Sequence, residues 1–171
     1  MIKLVAARDA IGAAIWQSEI DKNDSVRTEL KGTDYFDLKW RINNDNRQIA
    51  YIETDQPFSS DPDACICIAF VDDVPVWIDE LEGSLESSKI LCCYSVWSNK
   101  RGAGVRIINE LLDYVKKHHD NIERVITLSP KTEMAAKFHI RNGATHLQEN
   151  EKTVNFEYKV ERLLNYLYVT R

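Results

Sequence analysis

The stretch Ser98-Asn99-Lys100-Arg101-Gly102-Ala103-Gly104-Val105 separates two unlike patterns. Before it, Ile90 to Trp97 is nearly all apolar, as a central strand buried on both faces is. After it, Val105, Ile107, Ile108, Leu111, Leu112 and Val115 fall at i, i+3, i+4 spacing. That spacing predicts an amphipathic helix. It ends at Lys116-Lys117-His118-His119, where cations suit the negative end of the helix dipole. A glycine turn thus joins a buried strand to a helix N-terminus. Unpaired backbone N–H groups there can hold a phosphate, glycines let the backbone approach it, and Lys100 and Arg101 add positive charge. Ile107 breaks a Gly-x-Gly-x-x-Gly dinucleotide fingerprint, and the Gly-Lys-Ser/Thr of a Walker loop is absent.

Upstream, Ala64 to Val71 is β-rich, Asp72-Asp73 is a turn, and Pro75 to Leu81 resumes the pattern. Together they predict a hairpin. Arg47 to Thr54 reads as an earlier strand, and Gln56 to Asp63 as a loop. Ala10, Ile11, Ala14, Ile15 and Trp16 predict a helix over Arg8 to Ile20, and the polar stretch Ser25 to Trp40 holds a weaker helical pattern. Downstream, Arg124 to Leu128 reads as a short strand, and Met134 to Arg141 as a helix stopped by Asn142-Gly143. Thr153 to Val160 alternates, with Val154, Phe156, Tyr158 and Val160 on one face and Asn155, Glu157 and Lys159 on the other. That predicts a half-buried strand. Glu161 to Arg171 is a short tail with some helical character. The expected fold class is α/β, a mixed α+β sheet. It is antiparallel first and parallel where a β-α-β crossover carries the glycine turn.

The chain has 171 residues, enough for a single domain with one sizeable core. We divide it into an N-terminal helical, acceptor-side region over 1–63, a core over 64–160 and a tail over 161–171. Its longest apolar runs are far below the roughly 20 residues a bilayer span needs. The first residues lack the apolar run of a secretory signal, so no membrane and a cytoplasmic location are expected. The net charge of −5 argues against non-specific nucleic-acid binding and fits a cationic substrate such as an amine. Cys65, Cys67, Cys92 and Cys93 form no Cys-x-x-Cys pair, and no His stands at finger spacing. Buried reduced thiols and no metal are expected.

The glycine turn resembles the pyrophosphate loop of the GNAT superfamily of acyl-CoA-dependent N-acyltransferases, Gln/Arg-x-x-Gly-x-Gly/Ala. Asn99-Lys100-Arg101-Gly102-Ala103-Gly104 fits from its second position on, and Ile107-Ile108 falls where the family has its aliphatic pair. A second motif, Asn-x-x-Ala-x-x-Phe/Leu-Tyr-x-x-x-Gly-Phe, resembles Thr132 to Ala144: Ala135, Phe138 and Gly143 match, whereas Thr132, His139 and Ala144 replace Asn, Tyr and Phe. The resemblance covers roughly Ala64 to Val160 and implies a GNAT-like sheet.

What it implies chemically is attack of an amine on the thioester of acetyl-CoA, a cosubstrate. The residues implied for the cofactor are Val96, Trp97, Asn99, Lys100, Arg101, Gly102, Ala103, Gly104, Val105, Thr132, Ala135 and Phe138. His139 takes the place of the family's tyrosine, the acid for the departing thiolate; the same residue also reads as a packing histidine. Glu80, beside Asp79 and Glu82, is the candidate base, on a segment where solvated carboxylates are common. Ser95 is a donor near the thioester or a buried strand serine. An acyl-cysteine on Cys92 or Cys93 is set aside, because a strand interior suits no thiolate. The expected function is N-acetyl transfer to an amine of a small molecule or protein. A CoA-binding or protein-interaction module without transferase activity stays open.

Overall fold

The computed structural model describes residues 1–4, 38–42, 46–57, 59 and 61–160. Its centre is an eight-stranded sheet. The strands are β1 (Ile2–Leu4), β2 (Arg47–Ile52), β3 (Ala64–Val71), β4 (Ile90–Ser98), β5 (Arg124–Thr127), β6 (Ser129–Pro130), β7 (Thr145–Glu149) and β8 (Thr153–Tyr158). They lie in the order β1-β2-β3-β4-β5-β8-β6, with β7 also on β8. Among the described strands only β4 and β5 pair in parallel. The helices are α1 (Leu38–Ile42), α2 (Ala103–His118) and α3 (Glu133–Arg141).

Both faces of the sheet are covered, so its central strands are apolar throughout. On β3, Ile66, Ile68 and Phe70 join one core with Leu91, Cys93 and the α2 stripe Ile107, Ile108, Leu111 and Val115. The alternate residues Cys65, Cys67, Ala69 and Val71 join a second core with Ile78, Leu81, Cys92 and Tyr94. Each of the four α2 side chains is at most 1% exposed. Burial of such a chain stabilises by roughly 1.5–3 kcal/mol, which locks the crossover helix against the sheet.

The mixed sheet and its parallel crossover stand as expected, as do the strand near Arg47, the long helix and the helix stopped at Gly143, where φ is +94°. Three features differ. Pro75–Leu81 is not a hairpin strand but carries a 3-10 turn over Ile78–Glu80. Both edges of β3 are taken, by β2 and β4, and Pro75 has no N–H for a ladder. Side chains hold the segment instead: Asn155 Nδ2 donates to Pro75 O at 2.9 Å and Thr153 Oγ1 to Val76 O at 2.7 Å. Second, Asn155 on the polar face of β8 is buried, at 0% exposure, whereas Glu157 on the same face is partly exposed. Third, the N-terminal residues add the edge strand β1. The helix expected over Arg8 to Ile20, most of Ser25 to Trp40 and the tail from Glu161 lie outside the described residues.

Candidate functional site

A bulge in β4 opens the site. The register with β3 steps from Cys67↔Ser95 to Ile68↔Cys93, so Tyr94 is the extra residue on β4. A bulge bends its strand and raises the local twist. On the other side, the parallel pairing with β5 stops at Cys93↔Thr127, closed by Leu128 N–H on Cys93 O at 2.9 Å. Beyond that point Ser129 and Pro130 turn away to pair with β8. The two central strands therefore splay. Among the described residues no strand pairs with Tyr94–Ser98 on the side facing the gap.

The gap holds a cavity of about 390 Å³, within the range of small-molecule sites. Cys93 to Ser98 form one wall, Leu128, Ser129 and Pro130 the other, and Gly104, Thr132, Met134, Ala135, Phe138 and His139 close it from the helices. Gly102 has φ +82°, which turns the chain from β4 into α2. Ala103 N–H bonds Lys100 O at 3.1 Å. The next first-turn donors, on Gly104 and Val105, have no acceptor within the helix. Gly104 serves close packing instead: a Cβ there would stand 3.0 Å from Phe138 Cε2, so the ring would have to give way. The glycine lets α3 lean on the start of α2, and that contact shuts one end of the cavity.

Of the residues singled out in the sequence, Cys93, Ser95, Val96, Trp97, Gly104, Thr132, Ala135, Phe138 and His139 line the cavity. Asn99, Lys100, Arg101, Gly102, Ala103 and Val105 do not. They form the turn beside its mouth and the first residues of α2. Asn99 braces that turn, with its N–H on Asp63 O at 2.8 Å and Nδ2 on Pro62 O at 3.0 Å. Lys100 Nζ lies 2.9 Å from Asp55 and 3.6 Å from Asp63. The hydrogen bond to Asp55 raises its pKa. Thr132 caps α3 by accepting from Ala135 N–H at 3.2 Å. Glu80 is exposed and off the cavity wall; its Oε2 accepts from Val76 and Trp77 N–H at 2.5 and 3.2 Å. Among the described residues none that lines the cavity is Asp or Glu.

His139 is 4% exposed, and its Nδ1 stands 2.8 Å from Tyr158 Oη. Burial pushes its pKa down to about 4, so the ring is neutral at pH 7. Burial pushes the Cys93 thiol up to about 12, which leaves it protonated and unreactive although it borders the cavity. Sequence reading missed Tyr158 as a partner of His139. It also missed Leu128, Ser129, Pro130 and Met134 as lining. The signal available was Pro130, three residues beyond the end of β5, and the apolar face of β8 that carries Tyr158.

No protein-family model matches the chain, and no curated protein matches it. Solved structures do. The malonyl-CoA decarboxylase from Cupriavidus metallidurans superposes with TM-score 0.66 at 13% identity, over 98% of this chain and 63% of that one. Tetrahymena GCN5 gives 0.60 at 11%, over 94% and 97%. Arabidopsis thaliana NAA60 in complex with acetyl-CoA gives 0.55 at 10%, over 92% and 97%. The chain spans less than two thirds of the length of the malonyl-CoA decarboxylases it resembles. Such identities speak for the backbone, and on that ground the chain is a GNAT-fold protein, built on the sheet shared by these CoA-using enzymes and acetyltransferases.

Proposed function

We propose that the cleft binds acetyl-CoA and that the protein transfers its acetyl group to an amine. The observation that carries this is the splay of β4 from β5 beside the start of α2. A pantetheine arm is long, narrow and carries two amides. The backbone of Val96–Ser98 beside the gap offers it donors and acceptors, and Val96, Ala135 and Phe138 offer apolar contact. The pyrophosphate then meets the amides of Gly104 and Val105, with Arg101 beside them. The solved NAA60–acetyl-CoA complex, of the same fold, supports the assignment.

In the reaction the amine nitrogen bonds the thioester carbon, the C–S bond breaks, the amine loses a proton and the sulfur gains one. His139 offers a neutral N–H hydrogen bond to the departing sulfur, since its lowered pKa leaves no imidazolium at pH 7. The sulfur takes its proton from water, which the amine proton replenishes. The amine proton passes to water, or to Glu80 once that carboxylate releases the Val76 and Trp77 amides. The four buried thiols fit a cytoplasmic protein.

The described part of the cavity wall carries no carboxylate, which also favours a second reading, in which a malonyl thioester loses CO2 and the resulting enolate takes a proton at carbon. That reaction needs a donor and no base for an amine, and the malonyl-CoA decarboxylases of similar fold support it. The test titrates acetyl-CoA calorimetrically, then follows release of CoA thiol with polyamines, amino acids, aminoglycosides, lysine peptides and free N-termini. Thiol release with one amine class supports transfer. CO2 release from malonyl-CoA, with no thiol release, replaces it by the second reading. Binding without either reaction leaves an acyl-CoA-binding module.

A further inference from the structure

His139 sits in an aromatic box. The Phe156 ring stacks on it at 5.3 Å and 28°, and Phe138 and Tyr158 meet it edge-on at 5.1 and 5.9 Å. Among the described residues its polar partner is the Tyr158 hydroxyl, 2.8 Å from Nδ1. Two arrangements satisfy that distance. Either the phenol donates to Nδ1 and the ring proton is on Nε2, or Nδ1–H donates to the phenol oxygen. Tyr158 is 3% exposed, and among the described residues Nδ1 is the acceptor its O–H meets. In the second arrangement the phenol proton has no acceptor in a buried place, and an unsatisfied buried donor is costly. The first arrangement satisfies the phenol and Nδ1, and leaves Nε2–H to the cavity that His139 lines.

We propose that Tyr158 is a positioning residue: its hydroxyl donates to His139 Nδ1 and holds the imidazole as the Nε2–H tautomer, making Nε2–H the donor that His139 brings to the cavity. A neutral histidine has two tautomers of similar energy, and only one presents a donor at Nε2. The groups that line this corner from other strands are Tyr158 on β8 and Cys93 on β4, and burial holds both above their ordinary pKa, so neither is charged near neutrality. The neutral ring and the fixed tautomer act together: one removes the charge, the other aims the remaining proton. The chemical purpose rests on the acyl-thioester reading above, whereas the tautomer itself does not.

The test is long-range 1H–15N correlation of the histidine rings in the whole parent protein, from about pH 5 to 8, with His139→Phe to assign the signals. The expected spectrum has His139 protonated at Nε2, bare at Nδ1 and not titrating in that range. Tyr158→Phe keeps the ring and removes the hydroxyl. It is expected to give mixed tautomers and to lower kcat roughly two- to tenfold, the rate equivalent of one neutral hydrogen bond. The KM for acetyl-CoA should stay the same. In the His139→Phe background the second substitution should lower kcat no further. Protonation at Nδ1 in the parent, or an unchanged tautomer in Tyr158→Phe, overturns the proposal. So does an equal loss of rate in the His139→Phe background. A parent protein without turnover refutes the transfer reading, and the spectrum still decides the tautomer.

Discussion

Replacing Asn155 by leucine should strike the node that holds the far wall of the cleft. Asn155 uses its whole hydrogen-bonding capacity. Its Nδ2 donates to Pro75 O at 2.9 Å and Thr127 O at 2.8 Å. Its Oδ1 accepts from Gln148 Nε2 at 3.0 Å and Asn150 Nδ2 at 2.8 Å. Leucine has a similar volume and none of these partners. Gln148 and Asn150 are half-buried and can turn to water, but Pro75 and Thr127 are buried and their carbonyls cannot. Two stranded carbonyls cost about 4 kcal/mol together, at about 1–3 kcal/mol each. Burial of the leucine offsets about 2 kcal/mol of that. The net loss is about 2 kcal/mol, a fall in Tm of roughly 4–8 °C for a chain of this size. Urea denaturation should show a lower midpoint at an unchanged m-value. Thr127 is the last β5 residue paired to β4, so acetyl-CoA affinity should fall as well. A variant within about 0.5 kcal/mol of the parent would refute the view that this network fixes β8 and the Pro75 segment.

Protonation of His139 should destabilise the fold. Its folded pKa of about 4 lies below the ordinary 6.5, so the unfolded chain binds the proton more tightly between those values. Stability from this group is complete above about pH 6.5 and is lost as pH falls toward 4. His139→Phe should lack that slope by roughly 3 kcal/mol, read from denaturation midpoints of the two proteins at matched pH. The cysteines should label slowly with a thiol reagent in the native state and fast after denaturation, because all four are buried and Cys93 is held near 12. Rapid native labelling of Cys93 with loss of activity would reopen the acyl-cysteine route. Gly104→Leu should weaken acetyl-CoA binding at least tenfold in calorimetry, since even a Cβ meets Phe138 at 3.0 Å and a larger chain must enter the cavity.

The strand, glycine turn and helix were legible because each is local. Ile90–Trp97 is apolar throughout, the α2 stripe is periodic, and Gly102 and Gly143 do take positive φ. The parallel crossover followed from that order. The Pro75–Leu81 error came from reading β propensity without knowing that β4, not the next segment, fills the edge of β3. The buried Asn155 was hidden because its partners on Pro75, Thr127, Gln148 and Asn150 come from three other parts of the chain. In the site, residues on α3 were legible from the second motif, whereas the bulge at Tyr94 depends on pairing and leaves no mark in composition. Asn99 and Lys100 show the limit of motif reading: both stand in the turn as aligned, yet their side chains face the Asp55 to Asp63 segment.

The account stands most directly on calorimetric titration of acetyl-CoA into the parent protein and into Gly102→Asp. Among the described residues nothing beyond its chain neighbours lies within 4 Å of a Cβ at residue 102, so the variant should fold, at a cost of about 1–2 kcal/mol for a side chain at positive φ. Its carboxylate stands at the N-terminus of α2, where the account puts the pyrophosphate. One acetyl-CoA per parent chain, and binding lost in a variant that still unfolds cooperatively, is the predicted result. No binding to the parent, or equal affinity in Gly102→Asp, would contradict the account.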